Sequence, residues 1–474
     1  MVSKDELRKL DKEDLVDFAH KLSQQIDQLI LHVEQLTSEV KELREEIGVL
    51  KNKKNSGNSS LPPSHDLFTL KNQSLRGKSD KKTGGQPGHK GETLRMTANP
   101  DKIIKHFPDL QCPQCGVIHS KESMTLAGQR QVIDIPIIKA NVIEHQIYQL
   151  PCSCGLVSNG KFPMDVSAPV QYGANLIGFT AYLSSRQFVP YSRLSELVAS
   201  ITNISMSEGT IFNMLQKAAD AVIPIYEGVK EEVANATCVG GDETGVKVNN
   251  QKHWAWTWQT NLATYIVITK SRGFETIEHT FPNGFQNATY VSDSLSAQLK
   301  TVSKSHQLCF AHLLRELNFF QEIYLHPWST QMKDLLQRAI KLKNTMTLQQ
   351  YTEPCIERDK LIWEFGKLID QKLPENVPRI FPFHKRLVKR RHQMFTFLFY
   401  PEVPYDNNGS ERAIRNIKVK QKVSGGFRSE RGAEVFAILR SVFDTIIKKG
   451  GSPLENIRFA INIMRSKQEF RMSQ

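Results

Sequence analysis

Apolar residues recur every seven positions near the start of the chain: Leu15, Leu22, Leu29, Leu36, Leu43 and Leu50, with Ala19, Ile26, Val33, Val40 and Ile47 four residues after the first five. Leu at d with mostly β-branched residues at a favours a parallel two-stranded coil. Glu39 with Arg44, and Glu46 with Lys51, fall at g and the following e position, where they would pair between chains. The pattern predicts a leucine-zipper coiled coil over residues 1–51 and with it a homodimer; the alternative is an amphipathic helix packed on its own domain. Residues 52–105 lose the pattern. Lys51-Asn-Lys-Lys-Asn-Ser-Gly-Asn-Ser-Ser-Leu-Pro-Pro-Ser64 and Arg76-Gly-Lys-Ser-Asp-Lys-Lys-Thr-Gly-Gly-Gln-Pro-Gly-His-Lys-Gly91 cannot bury enough apolar surface to offset their ordering entropy. They read as a flexible basic linker, either a plain spacer or a clamp whose Lys81, Lys82 and Lys90 meet DNA phosphates.

Period-two alternation appears next, in Gln131-Val-Ile-Asp-Ile-Pro-Ile-Ile138 and Ala140-Asn-Val-Ile-Glu-His-Gln-Ile-Tyr148, and predicts a hairpin. Cys112-Pro-Gln-Cys115-Gly precedes it and Cys152-Ser-Cys154-Gly follows, so residues 106–166 form a candidate β module with four thiolates for one structural Zn²⁺. Unrelated surface thiols are the alternative, and Cys238, Cys309 and Cys355 read as core thiols. Residues 167–235 turn helical. Tyr191–Ser200 and Ser205–Leu215, joined by Ile201-Thr-Asn-Ile204, resemble a helix-turn-helix, although ordinary helical packing accounts for the same residues.

Strand-like runs then follow at Thr237–Val248, His253–Gln259 and Thr264–Thr269, with a helix over Phe274–Phe281, strands at Thr289–Asp293 and His306–Ala311, and a helix over Leu313–Phe320. The order β-β-β-α-β-α is that of an RNase H-like fold, in which the first and fourth strands are adjacent. Trp254, Trp256 and Trp258 alternate and fill one face of the sheet. The catalytic domain is expected in two parts, 236–325 and 401–474, separated by a helical insertion over 326–400. In the insertion, Lys385-Arg-Leu-Val-Lys-Arg-Arg391 is mostly a solvated face, with a few charges left for DNA. The chain is therefore expected to be a multidomain α/β protein.

Composition sharpens this picture in three ways. At 474 residues with 39% apolar, the chain supports two or three cores. Seven cysteines without a signal-like start do not make a disulfide framework, and no run of about 18 apolar residues suggests a membrane span, so a cytoplasmic protein is expected. The net charge of +13 suits a polyanionic partner and, with DNA as that partner, association with a bacterial nucleoid.

Three acids carry the candidate chemistry. Asp242 lies inside the strand Val239-Gly-Gly-Asp-Glu-Thr-Gly-Val-Lys-Val248, a costly place for an idle charge. Asp293 ends a second strand, and Glu411 opens the helix-like Asn407-Asn-Gly-Ser-Glu-Arg-Ala-Ile-Arg415. Two strand-borne aspartates with a helix-borne glutamate suit a pair of Mg²⁺ or Mn²⁺ ions held against a phosphodiester. Glu411, Arg415 and Lys418 are spaced to share one helix face, and Arg412 sits beside them. Asp406, Asn407 and Asn408 are capping types, with Asn407 or Asn408 expected near the site.

Taken together, Asn55-Ser-Gly-Asn-Ser-Ser-Leu-Pro-Pro-Ser64, Gly84-Gly-Gln-Pro-Gly-His-Lys-Gly91, the four cysteines, Ala168-Pro-Val-Gln-Tyr-Gly173, Asp242-Glu-Thr244, Cys309-Phe-Ala-His-Leu-Leu-Arg315 and Asp406-Asn-Asn-Gly-Ser-Glu-Arg-Ala-Ile-Arg415 resemble the insertion sequence 66 family of transposases, within the DDE transposase and integrase group. The resemblance runs nearly end to end. It implies a catalytic triad of Asp242, Asp293 and Glu411, a DNA-contacting Lys418, cleavage at transposon ends with strand transfer of 3′ hydroxyls, and small accessory proteins as partners. His312 and Arg315 are expected to contact DNA near the metals. Pro404 and Asn407 stand where some relatives keep a Tyr and an Arg, and Lys418-Val-Lys-Gln-Lys-Val-Ser-Gly-Gly-Phe427 replaces their basic-aromatic stretch, a departure that touches end recognition and not the acids. A structure-selective nuclease and a non-catalytic DNA-binding regulator are the rival readings.

Overall fold

The computed structural model describes residues 11–51, 94–135, 139–163, 166–324, 326–373 and 379–472, the side chains of residues 41, 44–51 and 464–472 excepted. Lys81, Lys82 and Lys90 lie outside these residues. The heptad segment is one 40-residue helix, α1 (Lys12–Lys51), and its seam is uncovered in the single chain, with Leu29 63% exposed. No described helix is long and apolar enough to cross a membrane.

In the cysteine-bearing region the ladder lies elsewhere than the alternation suggested. Residues 131–135 and 139–148 form no ladder; the paired strands are β1 (Gln149–Pro151) and β2 (Val157–Asn159), antiparallel around the Cys152–Cys154 turn. Val132 and Val142 are 93% and 87% exposed, so the alternating β-branched residues find no surface to pack on.

Three helices follow: α2 (Ala174–Ser185), α3 (Tyr191–Thr202) and α4 (Glu208–Ala234). Asn203 in the left-handed region ends α3, and the Ser207 hydroxyl caps α4 by accepting from the Thr210 amide at 3.1 Å. The pair has the expected turn, but its second member is a 27-residue core helix. Ile211, Leu215, Ala218, Val222 and Val229 are buried along one face, leaving Glu208, Gly209 and Asn213 exposed at its start.

A five-stranded sheet forms the centre, in the order β5-β4-β3-β6-β7: β3 (Cys238–Val248), β4 (Gln251–Gln259), β5 (Thr264–Thr269), β6 (Phe285–Ser292) and β7 (Ser303–Leu308). The first three strands form an antiparallel meander, while β6 joins β3 and β7 joins β6 in parallel. The crossover from β5 to β6 contains α5 (Phe274–Thr280). As expected, the first and fourth strands are neighbours. One face carries Val239, Trp256, Trp258 and Tyr290; Trp256 and Trp258 are fully buried, whereas Trp254 is half-buried between Lys252 and Arg272. The other face carries Gly240, Asp242, Val246 and Val248.

Beyond β7, α6 (Phe310–Tyr324), α7 (Pro327–Thr345), α8 (Ile356–Ile369) and α9 (Ile380–Lys389) build a second core around Phe320, Trp328, Phe383 and Phe397. The chain then returns to the sheet as α10 (Asn408–Ser424), α11 (Glu430–Lys448) and α12 (Pro453–Met472). Hydroxyls of Ser441 and Thr445 on α11 accept the backbone amides of Ile266 and Thr264, satisfying donors on edge strand β5. Helix α10 is fastened to β3 at its far end, where the Phe427 amide donates to Lys247 O and Asn249 donates to Phe427 O. Gly426 has φ +133, and a Cβ there would come 2.9 Å from Lys247 O, so the close approach needs glycine.

Candidate active site

The parallel pairing of β3 with β6 decides where the aspartates meet. Cys238 pairs with Thr289, Val239 with Tyr290 and Gly240 with Val291. The ladder ends there, and extending its register by two residues brings Asp242 towards Asp293, near enough for the charge of Asp293 to act on it. Glu243 points to the opposite face, where Arg272 and Gln298 donate to its carboxylate at 2.7 Å and 2.6 Å. That neighbour thus has a cation of its own in Arg272.

Glu411 arrives on the first turn of α10, where Gly240 lets the helix come close and Gly241 makes room for Tyr290 on the opposite face of the sheet. A Cβ on Gly240 would lie 2.6 Å from Asn407 Oδ1 and 3.0 Å from Ser410 Oγ, while one on Gly241 would lie 2.0 Å from the Tyr290 hydroxyl. Asn407 does not use its side chain as a cap. Its Nδ2 donates to Gly241 O at 2.6 Å, and its amide donates to Cys309 Sγ at 3.2 Å. Asp406 does the local turn chemistry instead, accepting from the Asn408 amide at 3.1 Å. The signal for Asn407 in sequence was its short amide beside Glu411; nothing local announced the bond to Gly241.

Helix α6 supplies two further side chains. His312 Nδ1 lies 2.8 Å from Asp293 Oδ1 and 3.7 Å from Glu411 Oε1. Arg315 presents Nη1 and Nη2 to the two oxygens of Glu411, each at 3.3 Å. The five residues Asp242, Asp293, Glu411, His312 and Arg315 therefore converge. Arg412 and Arg415 are exposed on the outer side of α10. Lys418, by contrast, is half-buried and donates its ammonium to Gly245 O at 2.5 Å, strapping α10 to β3; burial lowers its pKa.

Electrostatics mark the same spot. Burial, then the charges of Asp293 and Glu243, hold Asp242 well above the usual carboxylate range, with His312 offsetting part of this. Burial favours a neutral His312, but Asp293 and Cys309 outweigh it and raise the imidazole well above its ordinary value. Asp293 Oδ1 is buried, and His312 Nδ1, 2.8 Å away, is shared between it and Cys309 Sγ. A buried carboxylate oxygen with only a share of one donor and a second carboxylate driven towards its proton are both features that a divalent cation relieves, so the acids fit one.

The cysteines form two turns. The Cys112 amide donates to Val117 O and Gly116 to Cys112 O; the Cys152 amide donates to Leu156 O and Gly155 to Cys152 O. Gly116 and Gly155 both take positive φ, at +77 and +87. Backbone amides of Cys115 and Gln114, and then the Cys115 side chain, lower the Cys112 thiol; the Cys154 amide and side chain lower Cys152. Each turn thus favours thiolates. Among the described residues, however, the only grouping of three or more potential metal donors is Asp293 with Cys309 and His312, so the two turns do not converge into one four-thiol centre here.

Comparison with known proteins agrees with the chain's own motifs. A family model described as Transposase IS66 family matches residues 169–435, more than half of the chain and the whole of the sheet. A family of unknown function, DUF6444, matches residues 11–95. No curated protein matches. Among solved structures, a chain of the simian T-cell lymphotropic virus intasome in complex with PP2A regulatory subunit B56 gamma aligns over 42% of this chain and 71% of that one, at 10% identity and a TM-score of 0.14, too slight a likeness to build on. With the motif match spanning strands, acids and α10 alike, the chain belongs to the IS66 family of transposases.

Proposed function

We propose that this transposase is a DDE-type polynucleotidyl transferase on an RNase H-like fold, with Asp242, Asp293 and Glu411 as the catalytic acids. The observation that carries the reading is the meeting of Asp242 and Asp293 just beyond the paired stretch of β3 and β6, close enough for their charges to act on each other, with Glu411 brought towards them by the Asn407–Gly241 bond. The three carboxylates would hold Mg²⁺ or Mn²⁺, which when bound would activate a water or a 3′ hydroxyl and stabilise the leaving oxygen in an in-line displacement. No side chain needs to act as nucleophile.

The chain's own groups then have distinct tasks. Gly240 admits α10, the Gly241 carbonyl receives Asn407, which fixes the first turn of the helix, and Lys418 fixes its middle. Arg315 holds the Glu411 carboxylate in one orientation, and with His312 it stands beside the position a scissile phosphate would take. Exposed Arg412 and Arg415, with Lys81, Lys82 and Lys90 in the linker, are proposed to meet backbone phosphates of the transposon ends and target. Cys112, Cys115, Cys152 and Cys154 are proposed ligands of a structural Zn²⁺ that would draw the two turns together. The uncovered seam of α1 is proposed to pair with a second copy, since two ends must be handled at once; accessory proteins and a nucleoid location in a bacterial cytoplasm complete the reading.

The test is joining of a precut element-end oligonucleotide to plasmid in Mg²⁺ or Mn²⁺, wild type against Glu411→Gln. Joining by wild type alone supports the reading. Cleavage without joining turns it towards a nuclease, and DNA binding with neither, accessory proteins supplied, towards a regulator.

A further inference from the structure

Three donor atoms of different chemistry meet at the ends of β6 and β7: a carboxylate oxygen of Asp293, Cys309 Sγ and a ring nitrogen of His312, all within 4.8 Å of one another. The backbone imposes this. Cys309 follows β7 directly and donates its amide to Ser292 O at 3.0 Å, which sets it beside the residue preceding Asp293. His312 comes three residues later on α6 and so returns to the same side.

The hydrogen bonding within the cluster is one proton short. His312 Nδ1 lies 3.4 Å from Cys309 Sγ and 2.8 Å from Asp293 Oδ1, so one ring nitrogen faces two acceptors. A single N–H serves one acceptor well and leaves the other poorly served. A divalent cation among the three atoms satisfies all of them. A tetrahedral ion at ordinary N, O and S bond lengths spaces its donors about 3.3–3.6 Å apart, so the 2.8 Å contact must open by roughly half an ångström while the oxygen-to-sulfur separation, within 4.8 Å, adjusts to that range.

We propose that Asp293, Cys309 and His312 form a site for a borderline divalent cation of the Zn²⁺, Co²⁺ or Cd²⁺ class. Imidazole and thiolate select such ions over Mg²⁺, which prefers oxygen throughout. The donor set is separate from the all-oxygen set of the proposed chemistry but shares Asp293 with it, so an ion of this class competes with Mg²⁺ for that carboxylate and inhibits joining. With Nδ1 on the ion, Nε2 carries the ring proton, and the 3.3 Å contact from Arg315 Nη1 to Nε2 is given up while Arg315 remains on Glu411.

Co²⁺ titration of the full chain, read by thiolate-to-cobalt absorption in the near ultraviolet, tests this. Subtracting the spectrum of Cys309→Ser from that of wild type removes the contribution of Cys112, Cys115, Cys152 and Cys154. Wild type should take up one more Co²⁺ per chain, with a stronger band, and His312→Gln should weaken that uptake by about tenfold or more. Glu411→Gln should keep the band whether or not it joins DNA, which separates this outcome from the fate of the strand-transfer reading. Equal uptake and equal bands in wild type and Cys309→Ser overturn the proposal. If circular dichroism shows Cys309→Ser unfolded, His312→Gln decides, and unchanged Co²⁺ affinity there overturns it.

Discussion

Asn407 Nδ2 donates to the carbonyl of Gly241 at 2.6 Å across 166 residues of chain, and this bond fixes the start of α10 one residue from Asp242. Asn407 is buried, so Asn407→Ala leaves the Gly241 oxygen with no replacement donor. We expect a loss of about 1–3 kcal/mol in denaturant unfolding. Joining should fall about 10- to 100-fold as Glu411 loses its placement. Wild-type stability in the variant would show that the bond does not hold the helix.

Gly240 should tolerate no side chain. An alanine Cβ would sit 2.6 Å from Asn407 Oδ1 and 3.0 Å from Ser410 Oγ. Gly240→Ala is expected to cost about 1–3 kcal/mol in thermal or chemical melts. Gly228, exposed on α4 with nothing within 4 Å of its would-be Cβ, is the control. There the same change should stabilise by about 0.4–1 kcal/mol.

Asp242 should make the chelated protein sensitive to pH. Burial, then the charges of Asp293 and Glu243, raise its folded pKa, so the folded state holds the proton more tightly than the unfolded one. The resulting stability is complete below the unfolded value of about 4 and is lost as pH rises through the folded value. In a chelator, wild type should therefore lose stability from about pH 4 upwards, and Asp242→Asn should lose less while failing to join DNA. Superimposable stability–pH curves would remove Asp242 from the charge cluster.

Lys420, on the far side of α10, is a second test of burial. It is 6% exposed, lies 5.6 Å from the centre of the Tyr191 ring, and is pushed by burial down to about 8. The unfolded chain then binds more protons between about pH 8 and 10.4, so stability rises across that window. Lys420→Met should stabilise at pH 7 by something on the order of 1–3 kcal/mol, a gain that vanishes above about pH 10.4. A destabilised variant at pH 7 would mean that the ammonium has a use that burial alone does not describe.

Removal of residues 1–51 tests the seam of α1. Sedimentation equilibrium should report a dimer for the full chain and a monomer for the shortened one; a dimer from both would place the interface elsewhere.

Local pattern carried the sheet further than it carried the cysteine region. Thr264–Thr269 and the first strand were visible because apolar alternation there coincides with burial, as at Val246 and Val248. In Gln131–Ile135 the same alternation lies on exposed backbone, and alternation without a covering surface does not make a ladder. The turn before α4 was legible from Ile201-Thr-Asn-Ile204, but the helix continues far beyond Leu215 because its next turns are buried against other elements. At the site, the acids stood out as charges in apolar strands, and His312 and Arg315 stood out by motif. The roles of Gly240, Gly241 and Asn407 arise only where distant segments touch, which no local pattern encodes.

The interruption between Asp293 and Glu411 has a consequence for synthesis. Strands β3 and β6 have both left the ribosome long before Glu411, which follows 118 residues after Asp293 and behind the whole α6–α9 layer. A nascent or truncated chain can pair its two aspartates yet has no third acid to complete them. On the proposed chemistry, a half-made copy cannot nick the genome that encodes it; competence to cut comes only with the last pieces of the fold.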